Sequence, residues 1–223
     1  MTIATAVAAG RPDTREMIVV HNTFRRGFGD LPGLIRGVAA GDSARAHVIA
    51  GFYAEIATSL HHHHTGEDEL LWPKLLTRVD VDQAFVLRAE EQHERVADLL
   101  ERGEPLATAF AGSGDARARE RFAELADELN AALCEHMADE ERYVLPLVER
   151  FITVAEWREL ADRGRAGIPK DRLLIQVGWI LDGLDEHERR EFLSHLPLAA
   201  RIAWRLVGKR QYGNEVARIY GGR

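Results

Sequence analysis

Every long helical segment that can be read in this chain carries a histidine inside its apolar stripe, and that placement constrains the fold more than any other feature. Apolar residues recur at steps of three and four over about residues 14–28, 43–78, 83–102 and 116–150. That spacing keeps side chains on one face of a helix. The first stripe runs Met17, His21, Phe24, Phe28, and the second Phe52, Ile56, Leu60, His63, Glu67, Leu70. The third runs Val86, Ala89, His93, Val96, Leu100, and the fourth Phe122, Leu125, Leu129, Ala132, His136, Glu140, Tyr143, Leu147. Asp13 with Glu16, Thr153 with Glu156 and Asp185 with Glu188 read as capping boxes, and Asp42, Asp82 and Asp115 as N-caps. Gly, Pro and Asp gather at 29–33, 103–105 and 112–115, which predicts short connections between helices. No run alternates apolar and polar residues long enough to suggest a strand. The expected fold is therefore all-α, an up-down-up-down four-helix bundle. Beyond about Ile152 the helices shorten and Gly164, Gly167, Pro169, Gly183 and Pro197 punctuate them. The expected division is a bundle over 13–151 and a C-terminal helical extension over 152–223.

Burying an unpaired polar group costs roughly 2–7 kcal/mol, so a core holding four histidines and two glutamates needs compensation. Taken alone, each histidine is more readily a satisfied core residue than a ligand. Four of them, in four stripes, two with a glutamate one turn later, point instead to convergence on metal. Imidazole and carboxylate are the groups a divalent first-row metal takes in a bundle core. An internal repeat supports this. Residues 63–73 read HHTGEDELLWP and residues 136–146 read HMADEERYVLP, so that His, Glu, an acid and Pro recur at the same offsets. Pro73 and Pro146 are expected to kink or end their helices just past the metal turn.

These residues resemble the hemerythrin-like, or HHE cation-binding, family. Its pattern is a histidine on the first helix, H-x-x-x-E on the second, a histidine on the third and H-x-x-x-E on the fourth. The matches are His21, His63 with Glu67, His93, and His136 with Glu140, and the likeness covers about Asp13 to Phe151. The resemblance implies a non-haem diiron centre, two iron ions for which Mn or Zn are substitutes. It also implies that His21 and His63 serve one iron and His93 and His136 the other, with Glu67 and Glu140 bridging.

Two features depart from the oxygen-carrying members, which place two histidines one turn apart on the third helix. Here the positions four residues from His93 are Ala89 and Ala97, so one imidazole is missing. The carriers also use an aspartate one residue later on the fourth helix, where this chain has Glu140 at i+4. Both departures count against reversible oxygen carriage. Glu90, at the E-x-x-H spacing to His93 used by carboxylate diiron bundles, is a candidate replacement ligand. His61, His62 and His64 read as bystanders, because one helix face cannot present all four histidines to one centre. The repeat sets Met137 opposite His64, which favours His63 with Glu67 over His64 with Asp68. His62 is the expected outer support for a ligand. Cys134, roughly 200° around the helix from His136, is expected to point away as a small hydrophobe. Tyr143 reads as core packing, and His187 and His195 have no identifiable partner.

The lone Cys134 excludes an intramolecular disulfide and fits a reducing compartment, and no stretch approaches a membrane span. The start, Met1 to Gly10, lacks a basic leading region and is short for a signal peptide. A cytoplasmic location is expected. A net charge of -7 weighs against nucleic acid as a partner. The charge is uneven: residues 200–223 carry Arg201, Arg205, Lys209, Arg210, Arg218 and Arg223 against Glu215 alone. The stretch 196–212 mixes these cations with apolar residues. It reads as a helix packing back on the bundle, as a homodimer contact, or as a basic amphipathic helix on an anionic surface. The functional expectation is a diiron protein that binds or responds to oxygen, peroxide or nitric oxide. The alternatives are a catalase-like peroxide-scavenging enzyme and an iron-responsive interaction module.

Overall fold

The computed structural model describes residues 10–79 and 82–221. Residues 1–9, which include most of the mildly apolar start, and Arg223 of the basic tail lie outside them. The described residues are helical with no strand among them. They divide into two compact units, one ending at Gly167 and the other beginning at Ile168.

The first unit is built on four long helices: α1 (Arg15–Arg36), α2 (Ser43–Leu70), α4 (Gln83–Ser113) and α5 (Ala116–Asp139). Each packs on two of the others, α1 and α4 both touching α2 and α5. The short α3 (Trp72–Arg78) follows α2, and a π-helical turn (Glu140–Val144) followed by α6 (Leu145–Phe151) continues α5. Asp42 and Asp115 cap α2 and α5 as expected, accepting from the Arg45 amide at 2.9 Å and the Arg117 amide at 2.7 Å. Asp13 does not form its capping box. It accepts from the Arg15 amide and guanidinium instead, and Thr14 precedes the helix with its hydroxyl donating to Glu149 at 2.8 Å.

Two expected connections are helix. α1 runs through 29–33 and Pro32, because Phe28, Leu31 and Ile35 prolong the buried stripe and are wholly enclosed. α4 likewise runs through Gly103 and Pro105. Gly103 is where the Tyr53 hydroxyl and Leu125 come closest, and a Cβ there would run into both. The Tyr53 hydroxyl donates to the Leu100 carbonyl at 3.0 Å, so tertiary packing outweighs the local preference to break.

The first unit also continues past Phe151. Helix α7 (Val154–Ala166) opens on the Thr153–Glu156 capping box and packs on α2. Its Trp157 and Leu160 join an apolar cluster with Met17, Leu71, Trp72, Leu75, Val86 and Val148. The shorter, glycine-marked elements after Phe151 thus begin with a helix that covers the end of the bundle. The second unit holds α8 (Leu173–Asp182), α9 (Glu186–His195), α10 (Leu198–Ala203), a π turn (Trp204–Gly208) and α11 (Lys209–Tyr220). α8 meets α11 where Trp179 lies edge-on to Tyr212, at 5.4 Å between ring centres, over Gly178.

Candidate metal centre

Along all four long helices the histidine layer falls between two apolar regions. On one side lie Met17, Leu71, Val86 and Val144 of the cluster closed by α7; on the other lie Phe28, Phe52, Phe110 and Phe122. Within that layer α1 supplies His21, α2 supplies His63, His64 and Glu67, α4 supplies His93 and α5 supplies His136. Glu140 opens the π turn, where the Leu145 amide reaches back to the Glu140 carbonyl. Pro146 follows at once, and its missing N–H removes the bond that would hold a regular α turn.

The side chains converge. Glu67 lies between two histidines, its Oε1 3.6 Å from His63 Nε2 and its Oε2 3.6 Å from His93 Nε2. Glu140 Oε2 lies 3.2 Å from His21 Nε2 and 3.6 Å from His136 Nε2. His93 and His136 bring their Nε2 atoms within 3.2 Å. Two sets of donor atoms each fall within 4.8 Å of one another: His21, His63 and Glu67, and His64, His93 and His136.

Sequence reading set His64 aside, yet His64 is buried and stacks on His93 at 3.9 Å with an angle of 11°. The imidazole that Ala89 and Ala97 fail to supply from α4 thus has a counterpart from α2. Ala89 faces the core and Ala97 faces solvent. Glu90 is half-buried and belongs to neither set. Consecutive helical residues point about 100° apart, so His63 and His64 can both be interior only where their helix has neighbours on two sides. The sequence signal was the histidine pair itself, and the repeat comparison with Met137 hid it.

The outer support also differs from expectation. His62 lies beside Gly167, away from the layer. The acid after each glutamate is the one placed against a histidine of the layer. Asp68 Oδ1 is 2.7 Å from His93 Nδ1 and accepts from the Trp72 indole at 2.9 Å. Glu141 Oε1 is 2.9 Å from His21 Nδ1 and accepts from Arg25 at 2.7 Å. A carboxylate on Nδ1 fixes the ring and turns Nε2 to the interior, the usual arrangement behind a metal-bound histidine. Tyr143 is half-buried and stacked on Phe85 at 4.7 Å, because the extra residue of the π turn hands the buried position to Val144. Cys134 is half-buried against Asn130, and His187 and His195 are exposed.

The electrostatics fit a cation. His21 Nε2, His63 Nε2, His64 Nε2 and both oxygens of Glu67 and of Glu140 are buried with no hydrogen-bond partner among the described residues. So many unsatisfied atoms aimed at one another would be costly in a core with nothing between them. Burial, helped by neighbouring imidazoles, holds His63 and His64 well below the usual histidine range. Burial also brings His136 to about 3. These rings are neutral, with a lone pair free to ligate. For His21 burial acts the other way from Glu140 and Glu141, which win and raise it. Burial alone would raise Glu140, but His21 and the other imidazoles outweigh it and hold the carboxyl at about 2. Glu67 lacks that advantage: burial and the charges of Glu140 and Asp68 push it well above the usual carboxylate range. Bound cations would remove that penalty and keep both carboxylates ionised.

Fold and site together define a helical-bundle protein with a histidine–glutamate centre suited to metal. The hemerythrin HHE cation-binding domain family matches residues 13–148 and again 89–166, and the chain belongs to that family. No curated protein and no solved structure matches the chain.

Proposed function

We propose that the bundle holds two iron ions and binds or responds to dioxygen, peroxide or nitric oxide. The observation that carries this is the reach of the two glutamates. Glu67 extends one oxygen to His63 and the other to His93, and Glu140 lies against both His21 and His136. Carboxylates so placed would be within reach of both ions rather than of one. His21 and His63 would hold one ion, and His64, His93 and His136 the other. Imidazole and carboxylate also accept Mn or Zn. When bound, a pair of redox-active ions supplies electrons and an open coordination position for a small ligand.

The chain's own residues set the conditions around that position. Two imidazoles against three would leave an ion on the His21–His63 side with fewer protein donors, so an exogenous ligand would bind there. Phe24, whose ring lies 5.4 Å from that of His63, gives this side an apolar neighbour. Glu141 and Asp68 hold the Nδ1 protons of His21 and His93 and so fix the direction of each Nε2 lone pair. With His64 on the three-imidazole side, the vacancy expected from Ala89 and Ala97 no longer argues against reversible ligand binding.

The test is metal analysis of anaerobically purified protein, followed by absorption spectra with oxygen, peroxide and nitric oxide. Two irons per chain and a reversible spectral change with at least one ligand are expected. Sustained peroxide turnover would assign a catalase-like enzyme. Full iron loading with no spectral response to any of the three would overturn the reading.

A further inference from the structure

The second unit carries a surface that the metal centre does not use. From Leu198 to Tyr220 its backbone is one helical stretch, passing through the π turn at Trp204–Gly208. One face is buried: Trp204, Gly208, Glu215 and Ile219. Trp204 folds over Gly208, where a Cβ would meet its ring at 2.5 Å, and Glu215 pairs with Arg172 at 2.7 Å. These contacts settle which side of the helix faces the unit's core.

The other face is apolar and open. Leu198 is 68% exposed, Ile202 49%, Leu206 77% and Val207 48%. Half of the large apolar side chains exposed among the described residues therefore lie within ten consecutive positions. Cations stand beside them. Arg201, Arg205 and Lys209 line a shallow concavity together with Arg190, Leu193, Ser194 and Trp204, and no acidic side chain lines it. Arg190 is paired with Glu186 at 2.7 Å, while Arg201, Arg205 and Lys209 have no carboxylate partner among the described residues.

Apolar side chains held in water beside unpaired cations select among occupants. A nucleic acid would satisfy the cations and leave Leu198 and Leu206 wet. A second copy of this face would set the same cations against each other. A bilayer rich in anionic lipid satisfies both, taking the apolar stripe at the headgroup–acyl boundary and the cations at the phosphates. Long basic side chains are suited to that position, with stems in the apolar layer and charges at its surface. No helix among the described residues is long and apolar enough to cross a membrane, so the contact would be peripheral.

We propose that the 198–209 face of the second unit docks on an anionic phospholipid bilayer, with Leu198, Ile202 and Leu206 entering the interface and Arg201, Arg205 and Lys209 meeting lipid phosphates. The proposal is independent of the metal bound in the first unit.

The experiment is sedimentation of the full-length protein with vesicles of phosphatidylcholine alone or of phosphatidylcholine with phosphatidylserine. Three cations at the surface predict partitioning roughly tenfold or more stronger onto the phosphatidylserine vesicles, weakening as salt rises. A Leu198→Asp/Leu206→Asp variant, altered only at exposed positions and checked for unchanged helicity, should lose binding to these vesicles. A Arg201→Gln/Arg205→Gln/Lys209→Gln variant should lose the preference for phosphatidylserine. Equal binding to both vesicle types, or undiminished binding by both variants, would overturn the proposal. So would a stable dimer that Leu206→Asp dissociates, which would assign the face to a second copy.

Discussion

The segments from His63 to Pro73 and from His136 to Pro146 share His, Glu, acid and Pro at matching offsets, yet the fold treats them differently. After Glu67 the α-helix ends at Leu70 and Pro73 lies in the first turn of a new helix. After Glu140 the chain stays helical by widening into a π turn, and Pro146 follows it. The second segment offers one interior histidine and buries Met137 beside it, whereas the first offers both His63 and His64. Glu140 sits against His21 and is held ionised, while Glu67 faces Glu140 and Asp68 and resists ionisation. A repeated motif thus specifies side-chain types and spacing, and its neighbours decide how many face inward and with what charge.

The largest expected effects test what the two segments share. Glu67→Ala and Glu140→Ala should each lower metal content, measured by elemental analysis, well below two per chain. Near-normal content in both variants would remove the glutamates from the centre.

Metal removal comes next, because it exposes the difference in charge. His63, His64 and His136 have folded values below the usual histidine range, so the unfolded chain takes up protons first, near about pH 6.5. Their contribution to stability is therefore complete above that value and lost as pH falls toward the lowered folded values, about 3 for His136. His21 and Glu67, which are both raised, oppose the trend in part. Chelator-treated protein should melt at clearly lower temperature at about pH 5.5 than at about pH 7.5, and below the metal-loaded protein at both. A melting temperature indifferent to pH in the metal-free protein would contradict neutral buried rings.

His64→Met makes the first segment match the second at the one interior position where they differ. It should reduce metal content from about two toward about one per chain, or weaken the second ion markedly, while His61→Ala leaves content unchanged. If His64→Met retains both ions with unaltered affinity, the asymmetry is one of packing alone.

The smallest effects should come from the supporting acids. Asp68→Asn and Glu141→Gln each keep the shape but weaken the hold on a histidine Nδ1, and loss of such a partner typically costs about 10–100-fold in metal affinity. Both variants should still fill at saturating metal, and competition with a chelator would read the loss. Unequal losses would show which side of the centre depends more on its outer carboxylate.

The all-helical character and the inward placement of His21, His93 and the two H-x-x-x-E pairs were legible because helical periodicity is local: residues three and four apart share a face whatever surrounds them. Three things were not local. His64 became interior because α2 has α1 on one side and α4 on the other, so two adjacent residues can both face inward. The helices ran through Pro32, Gly103 and Pro105 because burial of Phe28, Leu31 and Ile35, and the fit of Tyr53 over Gly103, outweigh a local break. The unit extended to Gly167 because Trp157 and Leu160 found an apolar cluster that other helices build. The sequence by itself determined which histidines and acids stand on each helix and at what spacing. Which of them share a centre, and with what charge, was decided only when four helices enclosed them and removed the water.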